Sequence, residues 1–162
     1  MLLIGNKKVG KRIELQTSLG NDIPNEQLEF ESTLLMQKQL SELKTKYFGA
    51  IFRSGPSSMY NCHGMTFANR RTGIYEVENI KIILSDDKFI EINKKDLLAG
   101  DIALYYSDTG DIEHSGIVVD VNISLLVDIK ILSKWGDGYE AVHSLYICPY
   151  ELKYIKFYRS LL

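Results

Sequence analysis

From residue 98 onward the chain alternates apolar and polar positions in short runs broken by turn formers. Ile102-Ala103-Leu104-Tyr105-Tyr106 follows a Gly100-Asp101 turn, and Ser107-Asp108-Thr109-Gly110-Asp111 separates it from residues 112–120. Runs bounded in this way predict strands joined by hairpins. Residues 125–132, 139–143 and 154–158 continue the series, with Tyr139, Ala141 and His143 on one side of their strand. Upstream the period changes. Leu28, Leu35, Gln39, Leu40, Leu43 and Tyr47 trace one face of residues 26–48. With Asn25 as N-cap, Glu26 and Glu29 early and Lys38, Lys44 and Lys46 late, this predicts an N-terminal helix. A second helix is expected over 62–71, closed by Gly73. Ile80, Ile82 and Leu84 alternate like a strand, residues 89–92 like another, and residues 93–98 like a helical turn. Residues 1–25, with Lys7, Lys8, Lys11 and Arg12 before a turn-rich end, are expected as a mobile arm or edge segment. Helices followed by an antiparallel meander predict an α+β domain spanning 1–162, with its core over 54–158.

Composition narrows the function classes. A chain of 162 residues with 45% hydrophobic positions can bury a core without staples. A net charge of -2 offers no electrostatic footprint for a nucleic acid. No apolar run approaches membrane-spanning length, so no membrane partner is expected. The N-terminal apolar run is four residues long, too short for a signal core. The chain is therefore expected in the cytoplasm, with delivery by a signal-independent secretion route left open. The two cysteines, Cys62 and Cys148, are expected as free thiols in a reducing compartment. No zinc-type spacing and no Gly-rich phosphate loop occurs, so neither metal nor cofactor is expected.

The candidate chemistry lies at Tyr60-Asn61-Cys62-His63-Gly64, between a turn at Gly55-Pro56-Ser57-Ser58 and an apolar helical start. A thiol at a helix start is expected to have a lowered pKa, because unpaired main-chain N–H groups favour the thiolate. A thiol nucleophile also needs a base within hydrogen-bond reach and a group that orients the base. The histidines are His63, His114 and His143. Consecutive helix residues point about 100° apart, so His63 is a poor base for Cys62 and is expected to line the cleft. His114 opens an apolar strand beside the small Ser115 and Gly116, from where an imidazole can lean toward a helix packed on the sheet.

Three blocks carry a resemblance: Tyr-Asn-Cys-His-Gly-Met at 60–65, Leu-Ala-Gly-Asp-Ile-Ala-Leu-Tyr-Tyr at 98–106, and Ile-Glu-His-Ser-Gly-Ile-Val-Val at 112–119. In order and spacing they resemble the NlpC-type cysteine peptidases and amidases, within the papain-like group that includes the CHAP amidases. The resemblance covers roughly residues 54–135. Asn61 stands where that family has Asp, and His63 where it has Ser. The resemblance implies a nucleophile-bearing helix packed on an antiparallel sheet or half-barrel. It implies Cys62 as nucleophile and His114 as general base. The Cys62 N–H and the Tyr60 hydroxyl would be oxyanion donors. The orienting residue is expected at the end of the strand after His114. Ser133 is the choice, since a hydroxyl can accept from an imidazole N–H, with His143 and then Asp128 as alternatives. Trp135 would wall the cleft. The implied activity is cleavage of an amide bond through an acyl-enzyme. The substrate would be a peptide or a peptidoglycan-derived peptide, the acyl acceptor water or another group. A toxin-type effector would add an immunity or partner protein. The rival expectation is a non-catalytic module on the same fold that binds a peptide or a protein.

Overall fold

The computed structural model describes residues 10–29, 34–53, 55–122, 128–136, 138–150 and 154–162. It is a mixed α and β domain whose centre is a seven-stranded, wholly antiparallel sheet. Helix α1 (Leu34–Lys46) precedes strand β1 (Ile51–Arg53), and α2 (Cys62–Phe67) and α3 (Val77–Asp86) precede β2 (Phe89–Ile92). The strands β3 (Ile102–Tyr106), β4 (Ile112–Asn122), β5 (Asp128–Lys134), β6 (Glu140–Ser144) and β7 (Tyr154–Ser160) follow. The order across the sheet is β1-β6-β5-β4-β3-β7-β2. The meander β3–β6 is its middle, β1 extends one edge, and the last strand inserts between β3 and β2. Among the described residues no helix is long and apolar enough to cross a membrane.

Side chains of a strand leave alternate faces, and the two faces carry separate cores. Ala103, Tyr105, Val118, Ile129, Ile131, Ala141 and Phe157 form one, against Leu43 of α1 and Tyr47 just after it. Ile102, Leu104 and Ile112 form the other, against Ala68, Ile74, Ile80 and Ile83. Helix α1 touches the first face through Leu43, and α2 and α3 cover the second.

Four sequence expectations change. The N-terminal helix begins at Leu34, not at residue 26. Asn25 does not cap it. Its side chain instead holds Ile13 N–H, Ile13 C=O, Ile23 C=O and the Thr72 hydroxyl. Residues 10–25 are docked: Ile23 is buried, and Thr17 and Asn21 donate to the Asp86 carboxylate at 2.6 and 2.7 Å. Residues 1–9 of the expected arm, and 125–127 of an expected strand, lie outside the described residues. Residues 80–84 belong to helix α3, since Ile80 and Ile83 are buried at helical spacing while Ile82 faces out. The second helix ends at Phe67, where left-handed Asn69 and Arg70 (φ 48° and 65°) turn the chain.

One ion pair, with its carboxylate buried and its guanidinium partly exposed, ties the last strand to the start of the meander. The Asp101 carboxylate accepts from Leu98 N–H at 2.8 Å and from Arg159 Nε and Nη2 at 2.7 and 2.8 Å. Burial pushes its pKa up, but the hydrogen bonds from Arg159 and Leu98 and the Arg159 charge outweigh this and hold it below the ordinary value. Its contribution is thus present above the unfolded carboxyl pKa of about 4 and is lost as the pH falls through the folded value. Asp101→Asn should lower stability at pH 7 by about 1–3 kcal/mol. It should also flatten the acid limb of a plot of melting temperature against pH.

Candidate active site

The local sequence around Cys62 folds as a short capped helix. Asn61 is extended (φ -101°, ψ -173°), and its Oδ1 accepts from Gly64 N–H at 2.8 Å. The same oxygen accepts from Ile74 N–H at 3.1 Å, and Asn61 Nδ2 donates to Ile74 C=O at 2.7 Å. One side chain thus starts the helix and fastens it to the returning chain. Gly64 permits that return, because a Cβ there would lie 1.8 Å from the Thr72 carbonyl oxygen.

Helix α2 lies on β4 and β5, with the half-buried Cys62 above Ser115. The Ser115 hydroxyl gathers the site. It meets His63 Nδ1 at 2.9 Å and Thr66 Oγ1 at 3.0 Å, and it reaches the thiol of Cys62. Thr66 also donates to Cys62 C=O at 2.9 Å. Burial pushes the Cys62 thiol up. Hydrogen bonds from the Ser115 main chain and hydroxyl, and from the main chain of His63 and Cys62, oppose this without reversing it. The expected lowering at a helix start is therefore overturned by desolvation. Burial likewise pulls the buried His63 down to about 4. At neutral pH the resting site holds a thiol and a neutral imidazole, not an ion pair.

The expected Cys62–His114 pair is not formed. Ser115 pairs with Leu104 and His114 with Tyr105, so neighbouring residues of β4 face opposite cores. His114 is fully buried on the α1 side, stacked on Tyr150 with centroids 3.5 Å apart, and neither ring nitrogen has a hydrogen-bond partner among the described residues. Burial, then the charges of His63 and His143, hold its pKa well below the ordinary value. Ser133 does not orient it. The Ser133 hydroxyl meets His143 Nε2 at 2.8 Å and accepts from Trp135 Nε1 at 3.0 Å, while His143 Nδ1 meets Ser144 C=O at 2.9 Å. Trp135 walls no cleft beside Cys62. It is buried on the α1 side, edge-on to Tyr47 and Phe52. Asp128, at the start of β5, pairs with Lys130 at 2.9 Å.

Tyr60 lies two residues before Cys62, but its hydroxyl donates to Glu140 at 2.7 Å and is not free to meet an oxyanion. Burial first, and the Glu140 contact second, push it up to about 12. Lys134 lies over the Tyr60 ring, 4.7 Å from its centroid, and donates to Gly138 C=O. Ser115, Thr66, Glu140 and Arg70 were not singled out from the sequence. A neighbour of a candidate histidine and a polar residue one helical turn from a cysteine were the available signals for the first two. Among the described residues no group of three or more His, Cys, Asp or Glu side chains could hold a metal ion. Comparisons with protein-family models, curated proteins and solved structures return no match for this chain.

The rate of Cys62 alkylation by iodoacetamide, followed peptide by peptide, should rise with pH to a midpoint above the ordinary thiol value of about 8.5. No acid-side plateau of the kind an ion pair gives should appear. Ser115→Ala removes a donor to the thiolate and should move the midpoint further up.

Proposed function

We propose that this protein is a thiol hydrolase that cleaves the amide bond of a peptide through an acyl-enzyme on Cys62, on a papain-like, NlpC-type arrangement of helix and sheet. The observation that carries this reading is the Ser115 hydroxyl, which lies 2.9 Å from His63 Nδ1 and near enough to the Cys62 thiol to favour its thiolate. The nucleophile's proton thereby has a path to an imidazole that is neutral at pH 7.

The cycle follows from that path. The Cys62 S–H proton moves to Ser115 Oγ as the Ser115 hydroxyl proton moves to His63 Nδ1. The sulfur attacks the carbonyl carbon, and main-chain N–H groups at the start of α2 face the developing oxyanion. The C–N bond breaks, and the leaving amine takes the proton back along the same route. Water then hydrolyses the thioester, releasing a carboxylic acid and restoring the thiol. Transfer to an imidazole of low basicity is uphill, so the thiol is quiet until a substrate carbonyl is in place. A peptidoglycan stem peptide or another peptide amide suits this chemistry. The rival reading is a non-catalytic peptide- or protein-binding module, favoured by the raised thiol pKa alone.

An activated acyl donor, p-nitrophenyl acetate, tests the proposal by a burst of p-nitrophenol and mass spectrometry of the Cys62 peptide. The acetyl group should sit on Cys62 and vanish in Cys62→Ala. It should form about 100-fold more slowly in Ser115→Ala and His63→Gln, and at the normal rate in His114→Gln. Dependence on His114 and not on His63 would move the base to His114. No acylation at Cys62 would leave the binding-module reading.

A further inference from the structure

Glu140 lies on the sheet face that carries α2, yet its partners are eighty and seventy residues upstream. Its carboxylate accepts from the Tyr60 hydroxyl at 2.7 Å and from Arg70 Nε and Nη2 at 2.5 and 3.1 Å. Tyr60 is two residues before Cys62, and Arg70 three residues after the end of α2. One buried carboxylate therefore grips both flanks of the six-residue helix that bears the nucleophile.

Three further features converge on that grip. The chain enters the left-handed region at Asn69 and Arg70, which ordinary side chains avoid. Arg70 N–H then closes on Gly64 C=O at 3.1 Å, and the Arg70 guanidinium returns toward the sheet. The register sets Glu140 level with Arg53 of β1 and Lys134 of β5, and Lys134 lies over the Tyr60 ring. Burial pushes the Glu140 carboxyl up, but hydrogen bonds from Arg70 and Tyr60 and the charges of Arg70 and Arg53 hold it below its usual range. It is thus a carboxylate at neutral pH and can serve both donors at once.

We propose that Glu140 is a positioning residue, which fixes the distance between Cys62 and Ser115 by holding Tyr60 and Arg70 at the two flanks of α2. This rests on Cys62 being the nucleophile. The carboxylate touches neither the thiol nor a substrate. It acts by denying α2 the freedom to slide or tilt on β4. Displacement of a nucleophile by about 1 Å is enough to lose two orders of magnitude in rate.

The test reads two quantities, the rate of Cys62 acetylation by p-nitrophenyl acetate and the pH midpoint of Cys62 alkylation by iodoacetamide. Glu140→Gln should slow acetylation at least about 10-fold and displace the midpoint. Tyr60→Phe and Arg70→Gln should each do part of this. Combining either with Glu140→Gln should add nothing further, since they act through one carboxylate. Glu91→Gln removes an exposed carboxylate paired with Lys156 at the β2–β7 edge of the sheet, and should leave both readings unchanged. If Glu140→Gln fails to fold, Tyr60→Phe, which deletes only a hydroxyl, decides the matter. A lower melting temperature with both readings unchanged would overturn the positioning role. Absence of acetylation in the unmutated chain would overturn the hydrolase reading. The alkylation midpoint would then still judge Glu140, and an unchanged midpoint in Glu140→Gln would overturn it.

Discussion

Successive side chains of a strand leave opposite faces of a sheet, and β4 applies that rule at His114 and Ser115. Ser115 meets the thiol of Cys62 and the imidazole of His63 on the face covered by α2. His114, one residue earlier, is held on the other face under Tyr150. Each assignment fixes the other, because β4 is paired on both sides and cannot slip by one residue without turning both cores inside out. The identity of the imidazole nearest the Cys62 thiol is therefore a consequence of strand register.

Around the thiol, two effects oppose one another. Main-chain N–H groups and the Ser115 hydroxyl favour the thiolate, while removal from water favours the thiol, and removal from water wins. The same desolvation keeps His63 neutral. The result is a pair of uncharged groups joined by a hydroxyl, which under the proposed hydrolase reading keeps the thiol quiet until a substrate carbonyl is present. Such a site depends on exact spacing more than on charge. Its supports are correspondingly polar: Asn61 ties α2 to Ile74, Thr66 ties it to Ser115, and Glu140 ties both flanks to β6.

Much of the sheet was legible in the chain. The turn at Gly100-Asp101, the loop at 107–111 and the run at 139–143 mark strands that the structure contains, and Cys62 does open a helix. The face of His114 was not legible, and the cause is a bulge. Tyr105 pairs with His114 while Tyr106 pairs with Ile112, so Glu113 is an extra residue in β4. Without that bulge Ile112 and His114 would share a face. With it, Ile112 packs toward α3 and His114 does not. Local pattern carries no sign of the insertion. Residues 80–84 misled for a related reason: Ile80, Ile82 and Leu84 alternate, but Val77, Ile80 and Ile83 also fall at helical spacing, and packing on the sheet selects the helix. Glu140 was illegible because its meaning lies in partners seventy and eighty positions away, which no period along the chain reports.

The proposed relay turns on which imidazole senses the Cys62 thiol. Ring-nitrogen NMR of the histidines, recorded before and after carbamidomethylation of Cys62, reads this directly. A shift at His63 Nδ1, with His114 unmoved, is the result that follows from Ser115 joining Cys62 to His63. A shift confined to His114 would place the thiol's partner on the other face of the sheet and contradict the account.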